Sequence, residues 1–342
     1  MLTRLVPSKP ISGEEARLLF AFLKDYSHLL LAVSGGADSL AMMAMVAAWS
    51  KGEHGVCPRI SIATVDHGLR AESADEVHYV AQIAGQLGLS HTVLRWDGEK
   101  PISGLQEAAR EARYHLLAGH ARTIGAEAVV LAHHAHDQAE TVLMRLCAGS
   151  GITGLGGMDV KAQWRDCVLL RPFLDIAGHR LRATLEGFGL KPVEDPSNLN
   201  TRFTRVRFRQ AMSQLEAEGL DTVRLGRLAH RMRRADEALV EMAERARRAS
   251  QLPSDQGRRF AAALWEEPDE IILRVLMRCI TDMQLGSAIE LFRLEELVKT
   301  FRNARMTGST ARRTLAGALI SMAGDGSISV QLEGPRRPVS TA

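Results

Sequence analysis

The chain has 342 residues, 46% hydrophobic and 24% charged, with a net charge of +3; this is the length of two or three domains and the composition of an ordinary globular protein. The longest apolar run, Leu40 to Trp49, is far short of the ~20 residues a membrane helix needs, and the first ten residues (MLTRLVPSKP) lack a signal-peptide core, so no membrane partner and a cytoplasmic location are expected. Cys57, Cys147, Cys167 and Cys279 lie far apart with no CxxC pair, which argues against a zinc ribbon, an iron–sulfur cluster or a redox dithiol.

In chain order, short apolar runs at His28–Val33, Arg59–Val65, His91–Trp96 and Glu127–Ala132 predict strands. Between them, Asp38–Ser50, Ser73–Leu87, Ser103–Ile124 and Asp137–Cys147 read as helices, two with capping boxes (Ser73 with Glu76, Ser103 with Gln106). A fifth strand at Cys167–Leu170 and a helix near Ile176–Phe188 follow. Strands apolar throughout, alternating with helices, predict a doubly wound α/β domain with a parallel sheet covered on both faces, spanning residues 1–215. Residues 216–332 read as a mainly helical domain, with breaks at Pro253, Pro268 and Gly286, closed by a terminal β-hairpin: Thr314–Met322, a turn at Gly324-Asp325-Gly326, then Ser327–Leu332. Residues 333–342 form a tail.

The loop Ser34-Gly35-Gly36-Ala37-Asp38-Ser39 lies between the first strand and its helix. Two glycines let backbone approach an anion closely, and successive amides at a helix N-terminus make a phosphate nest. Asp38 can reach a metal ion or an amide. No G-x-x-x-x-G-K-[ST] loop exists in the chain. Gly149–Gly154 fits G-x-G-x-x-G, but it follows a helix instead of a strand, so a dinucleotide site is not expected there.

Asp137 and Glu140, three apart on a helix, share a face and suit a ligand with two ammonium groups, although Asp137 also stands where it can cap that helix. Arg113 can neutralise charge on a phosphate, and His133 stands where it can meet phosphate or accept a proton. His133, His134 and His136 lack a fourth ligand at zinc spacing. From Arg202 to Arg248 the chain holds 12 arginines, no lysine and 7 acidic residues, a surplus suited to a polyanion or to a solvated helix face. Arg205, Arg207, Arg231, Arg233 and Arg234 are the candidate RNA contacts.

The SGGxDS loop resembles the phosphate loop of the ATP-pyrophosphatase superfamily, whose fold is adenine nucleotide α-hydrolase-like. Further segments resemble the tRNA(Ile)-lysidine synthases: Asp66-His67-Gly68-Leu69-Arg70, Ala109-Arg110-Glu111-Ala112-Arg113-Tyr114, Ala132 to Thr141, Gly149 to Leu155, Arg171-Pro172-Phe173-Leu174 and Glu194-Asp195-Pro196-Ser197-Asn198. Ala132, Ala148 and Val206 depart from that family's usual Thr, Arg and Asn. The resemblance implies that ATP, with Mg2+, adenylates carbon 2's oxygen on the wobble cytidine of a CAU-anticodon isoleucine tRNA. Free L-lysine then displaces AMP. It implies Ser34 to Ser39 as the ATP loop, Asp38, Arg113, His133 and Asp137 as catalytic, and Asp137 with Glu140 as the lysine site. A tRNA thiolase of the same superfamily, or a non-catalytic ATP- and RNA-binding module, remains an alternative, and a homodimer remains open.

Overall fold

A computed structural model describes residues 9–52, 57–68, 73–98, 100–101, 104–193, 204–283 and 289–334. The chain divides into two compact units, Met1–Ser150 with Gly154–His230, and Gly151–Thr153 with Arg231–Ala342. The division falls inside one long helix, later than the boundary near 215 read from the sequence.

The first unit is built on a six-stranded sheet of order β3-β2-β1-β4-β6-β5. Its strands are β1 (His28–Ala32), β2 (Arg59–Asp66), β3 (Ser90–Arg95), β4 (Ala128–Val130), β5 (Lys161–Trp164) and β6 (Cys167–Leu170). Its helices are α1 (Gly13–Phe20), α2 (Ala37–Gly52), α3 (Ser73–Leu87), α4 (Leu105–Ile124), α5 (Ala135–Cys147), α7 (Gly178–Gly187) and α8 (Thr204–Ala217), while the single turn α6 (Ile152–Leu155) falls where the chain passes between the units. β1 pairs in parallel with β2 and with β4, Leu29 standing opposite both Ile60 and Ala128. The expected parallel sheet is thus present, with one correction: β5 is an antiparallel edge on β6. Its Lys-Ala-Gln-Trp sequence has no apolar run, which is why periodicity does not reveal it. α1 was also unforeseen; it opens on a capping box in which Ser12 Oγ accepts from the Glu15 amide and Glu15 accepts from the Ser12 amide.

Side-chain alternation along β1 explains the layering. Leu29 and Leu31 pack into a core with α1, α2, α3 and α7, while Leu30 and Ala32 pack into the opposite core with Tyr114, Leu117 and Ala121 of α4. α2 is apolar on nearly all sides, with ten buried residues. A third cluster joins Ala139, Val142 and Leu143 of α5 to Met212 of α8 and to Leu225 and Ala229 of α9 (Thr222–Ser250). β1 and β4 run parallel, but the order in which strands are added reverses between them. The loops leaving these two strands therefore diverge at their carboxyl ends, the crevice where open α/β sheets bind ligands.

The second unit has a five-stranded antiparallel sheet of order β7-β8-β11-β10-β9 beside α9, α10 (Asp269–Asp282) and α11 (Leu291–Met306). Its strands are β7 (Gln251–Leu252), β8 (Arg258–Phe260), β9 (Ala311–Leu315), β10 (Ala318–Met322) and β11 (Ile328–Leu332). The hairpin turning at Gly324 to Gly326 is β10–β11. The single strand expected over Thr314–Met322 is two strands, because Ala316 and Gly317 both take positive φ (49° and 82°) and make a two-residue turn. Phe260, Ile320, Met322, Ile328 and Val330 face α10 and α11, burying Phe301 and Leu276. On the outer face Arg259, Ser329, Ser321 and Arg312 stand in one cross-strand row.

The side chain of Ser73, together with Arg70, Ser103, Glu194 to Asn198, Arg202 and Gly286, falls outside the described residues. No helix among the described residues is long and apolar enough to cross a membrane.

Candidate active site

The phosphate loop sits where β1 hands over to α2. Gly35 has φ +87°, a conformation that favours glycine, although a Cβ there would only touch Val193 and Val80 at ordinary contact distance. Its carbonyl accepts from the Val193 amide (3.0 Å). Gly36 has no such backbone demand, and a Cβ there would meet only Ser34 Oγ at 3.7 Å. The space above it is therefore free for an anion to come close. Ser39 Oγ accepts from the Ser34 amide (3.1 Å) and donates to the Gly36 carbonyl (3.0 Å), fixing the loop's curl. Asp38, in the first turn of α2, keeps 39% of its side chain exposed.

From Asp38 a line of groups runs to α5. His134 Nε2 lies 3.4 Å from Asp38 Oδ2, and its Nδ1 lies 3.6 Å from Asp137 Oδ2. His134 caps α5: its Nδ1 accepts from the His136 amide (3.2 Å), and Asp137 accepts from the His134 amide (2.9 Å). Burial lowers the His134 pKa, but the carboxylates of Asp38, Asp137 and Glu140 outweigh it and raise the value above normal. Asp137 thus does serve as a helix cap, while also facing Arg113 and His133.

His133, one residue earlier, has the opposite environment. Burial, with the positive charges of Arg113, Arg171 and Arg110 and against the pull of Asp137, lowers its pKa to about 3. Its Nδ1 is shielded and has no hydrogen-bond partner. At neutral pH it is an uncharged imidazole. Arg113 is likewise desolvated, burial being the main cause that lowers its pKa. Arg171, only 6% exposed, donates to the Asp159 carbonyl (2.8 Å) and leaves its Nε shielded and unpartnered. His67, after β2, is also kept toward neutral, by burial first and then by Arg113 and Lys100 against Asp66.

Glu140 departs from the sequence expectation. It is 2% exposed, and its carboxylate accepts from Arg209 Nε (2.9 Å) and lies 3.5 Å from Arg205 Nη1. The helix face it shares with Asp137 carries the interior side of α5, so Glu140 holds α8 instead of standing open to a ligand. Arg205 accordingly points inward, while Arg207 is exposed, with Nη2 on Thr204 Oγ1 (3.1 Å). In α9, Arg231 and Arg234 are exposed, but Arg233 is turned inward with Nε shielded, so the three do not share a face. Among the described residues, no group of three or more His, Cys, Asp or Glu is gathered as for a metal.

The glycine-rich segment after α5 is a packing device. A Cβ on Gly157 would strike the Gln138 amide at 2.7 Å, and one on Gly154 would strike Ser150 at 2.5 Å. Gln138 exchanges two hydrogen bonds with Met158, and Arg145 donates to the carbonyls of Gly154 and Gly157. Sequence reasoning missed His134 as the link between Asp38 and Asp137, and gave Arg110 and Arg171 no role. Only their place inside the Ala109–Tyr114 and Arg171–Leu174 segments marked them.

A glycine loop between the first strand and its helix, at the switch point of a doubly wound sheet and with a half-exposed carboxylate after it, is the arrangement of a PP-loop domain, and the PP-loop domain family matches residues 12–216. Among solved structures, the U34-tRNA thiolase NcsA from Methanococcus maripaludis shares this fold at a TM-score of 0.55, with 16% identity over 64% of this chain and 77% of that one. Curated relatives are far nearer. A tRNA(Ile)-lysidine synthase of Bradyrhizobium sp. (strain BTAi1 / ATCC BAA-1182) is 45% identical over 96% of both chains, and one of Methylobacterium sp. (strain 4-46) is 47% identical over 92% of this chain and 91% of its own. This chain belongs to the tRNA(Ile)-lysidine synthase family.

Proposed function

We propose that the protein ligates free L-lysine to carbon 2 of the wobble cytidine of a CAU-anticodon isoleucine tRNA through an adenylated RNA, releasing pyrophosphate and AMP. The observation that supports it most is the continuous line from the phosphate loop to α5, Asp38–His134–Asp137, flanked by Arg113 and a neutral His133. The reading is supported by the closeness of Asp38, which follows the glycines of the loop, to Asp137, a carboxylate suited to an amine, both lying beside His134.

In the first step the cytidine's oxygen attacks the α-phosphorus while pyrophosphate leaves toward Gly36 and the α2 amides. Arg113 and Arg171 offer charge to the phosphoryl group from a desolvated position, where such charge acts strongly. The half-exposed carboxylate of Asp38 fits Mg2+, which takes one or two carboxylates and substrate phosphates. When bound, the ion neutralises the departing pyrophosphate.

In the second step the ε-ammonium gives a proton to solvent and the free amine attacks carbon 2; the bond from carbon 2 to oxygen breaks as AMP leaves with its electron pair, and the nitrogen's surplus proton passes to solvent. Lysine's ammonium has an ordinary pKa of ~10.4, so a histidine held near 3 is far too weak a base to take its proton. His133 therefore acts as a neutral hydrogen-bonding partner to phosphate. Asp137, with Glu140 committed to Arg209, is the carboxylate left to receive an ammonium group.

The test is incubation with ATP, labelled lysine and total tRNA. Label should enter RNA only with ATP present, matched by AMP. ATP cleavage with no lysine transferred to any tRNA would sink this reading.

A further inference from the structure

Arg110 precedes Arg113 by three residues on α4, and its guanidinium lies 4.9 Å from the centroid of the Tyr114 ring. Its side chain is exposed. Among the described residues no carboxylate pairs with it. The neighbouring acid Glu111 is engaged by Arg165 (3.0 Å) and His115 (3.4 Å), and Glu140 is engaged by Arg209. The nearby cations acting on Arg110 are Arg205, Arg113 and Arg171. Arg205 lies beside Glu140 (3.5 Å) and Arg113 faces Asp137, but no acid among the described residues answers Arg110, which therefore favours the approach of an anion.

ATP does not account for all four. Arg113 and Arg171 sit deep, beside His133 and Asp137, where the transferred phosphoryl group is expected. Of the three, Arg110 alone is exposed, Arg113 being half-buried and Arg171 buried. A guanidinium stacked on an aromatic ring is pre-aimed, and its planar fork matches two phosphate oxygens. An enzyme that reacts with one base must also hold the strand beside that base, and phosphate contacts do so without reading sequence. We propose that Arg110 grips a backbone phosphate of the RNA next to the nucleotide being adenylated, leaving Arg113 and Arg171 for the phosphate supplied by ATP. The inference rests on the RNA substrate proposed above. The alternative is that Arg110 merely stiffens α4 through its i, i+4 contact with Tyr114.

The experiment uses the full chain, Arg110→Met and Arg110→Lys, and an anticodon stem-loop RNA with a CAU loop. In parallel RNAs each loop phosphate in turn is replaced by an uncharged methylphosphonate. Arg110→Met should weaken RNA binding about 10- to 100-fold, with ATP affinity unchanged and the salt slope of binding shallower by ~0.7. One methylphosphonate next to the wobble cytidine should weaken the wild type by a similar factor and the Met variant hardly at all. Arg110→Lys, which keeps the charge but not the fork, should fall between. The contact is overturned if the folded Met variant binds RNA like wild type, if every methylphosphonate adds independently to the substitution, or if ATP affinity falls with RNA affinity. Wild-type protein that does not bind the stem-loop at all overturns this contact and the tRNA reading together.

Discussion

The two sheets bury themselves in different ways. In the first unit β1 is buried at all five residues, alternate side chains going to helices on opposite faces. In the second, the inner face carries Phe260, Ile320 and Val330, while the outer row Arg259, Ser329, Ser321 and Arg312 is polar. A sheet covered on both sides can offer chemistry only at its strand ends, and there Asp38, His133, His134 and Asp137 gather. A sheet with one polar face offers an area instead of a point. The contrast predicts that single substitutions are severe for turnover in the first unit and mainly structural or additive in the second.

The largest effect is expected at Gly36→Val. Its backbone tolerates a side chain but its function does not, so AMP formation should fall on the order of a thousandfold with circular dichroism unchanged. Near-normal AMP release would place the ATP site elsewhere. Phe260→Ala, in the second core, should cost ~3–5 kcal/mol of that unit's stability, measured as a calorimetric transition that drops while ATP binding persists. A matching loss of ATP affinity would show that the units are not independent.

Asp137→Asn should raise the lysine concentration needed for half-saturation about 10- to 100-fold, with ATP saturation little changed. Unchanged lysine saturation would move the amine site to other residues. Reversing Arg231 and Arg234 to Glu should weaken tRNA binding several-fold and flatten its salt dependence, without changing ATP affinity. Arg233→Glu serves as the contrast, since burying that new charge should lower stability first.

The smallest effect separates the two neighbouring histidines. His134 has a raised folded pKa, so its contribution to stability is complete below its ordinary value of ~6.5 and is lost as pH rises through the raised value. Melting temperature should decline over that range in the wild type and decline less in His134→Gln. His133 has a depressed pKa, so its cost appears on the acid side, between ~6.5 and about 3. An identical alkaline slope in His134→Gln would mean that the Asp38–His134–Asp137 line carries no coupling.

Much of the first unit was legible because a buried parallel strand must be apolar along its whole length. β1, β2 and β6 follow their runs closely, whereas β5 and β8, four residues or fewer with lysine or arginine at their heads, leave no such trace. Ala316-Gly317 is a poor textual cue for a hairpin, and only pairing of Leu315 with Ala318 reveals it. Local motifs singled out Asp38, Arg113, His133 and Asp137, and in the fold Asp38 and Asp137 both lie beside His134 while Arg113 and Asp137 both act on His133. The contact of His134 with Asp38 was not legible, since nearly a hundred residues separate α2 from α5 along the chain. Glu140 was misjudged for a related reason: helical spacing tells which residues share a face, but not that the face would be covered by α8.

The register of β1 against β4 has a bearing on how the protein comes into being. Leu29 pairs with Ala128, so the two loops that hold the reacting groups meet across nearly a hundred residues of intervening chain. A ribosome releases the phosphate loop early, yet the histidines and Asp137 emerge only after β4. Closing so long a span is entropically slow. The loop itself is completed later still, because the Gly35 carbonyl takes its hydrogen bond from the Val193 amide.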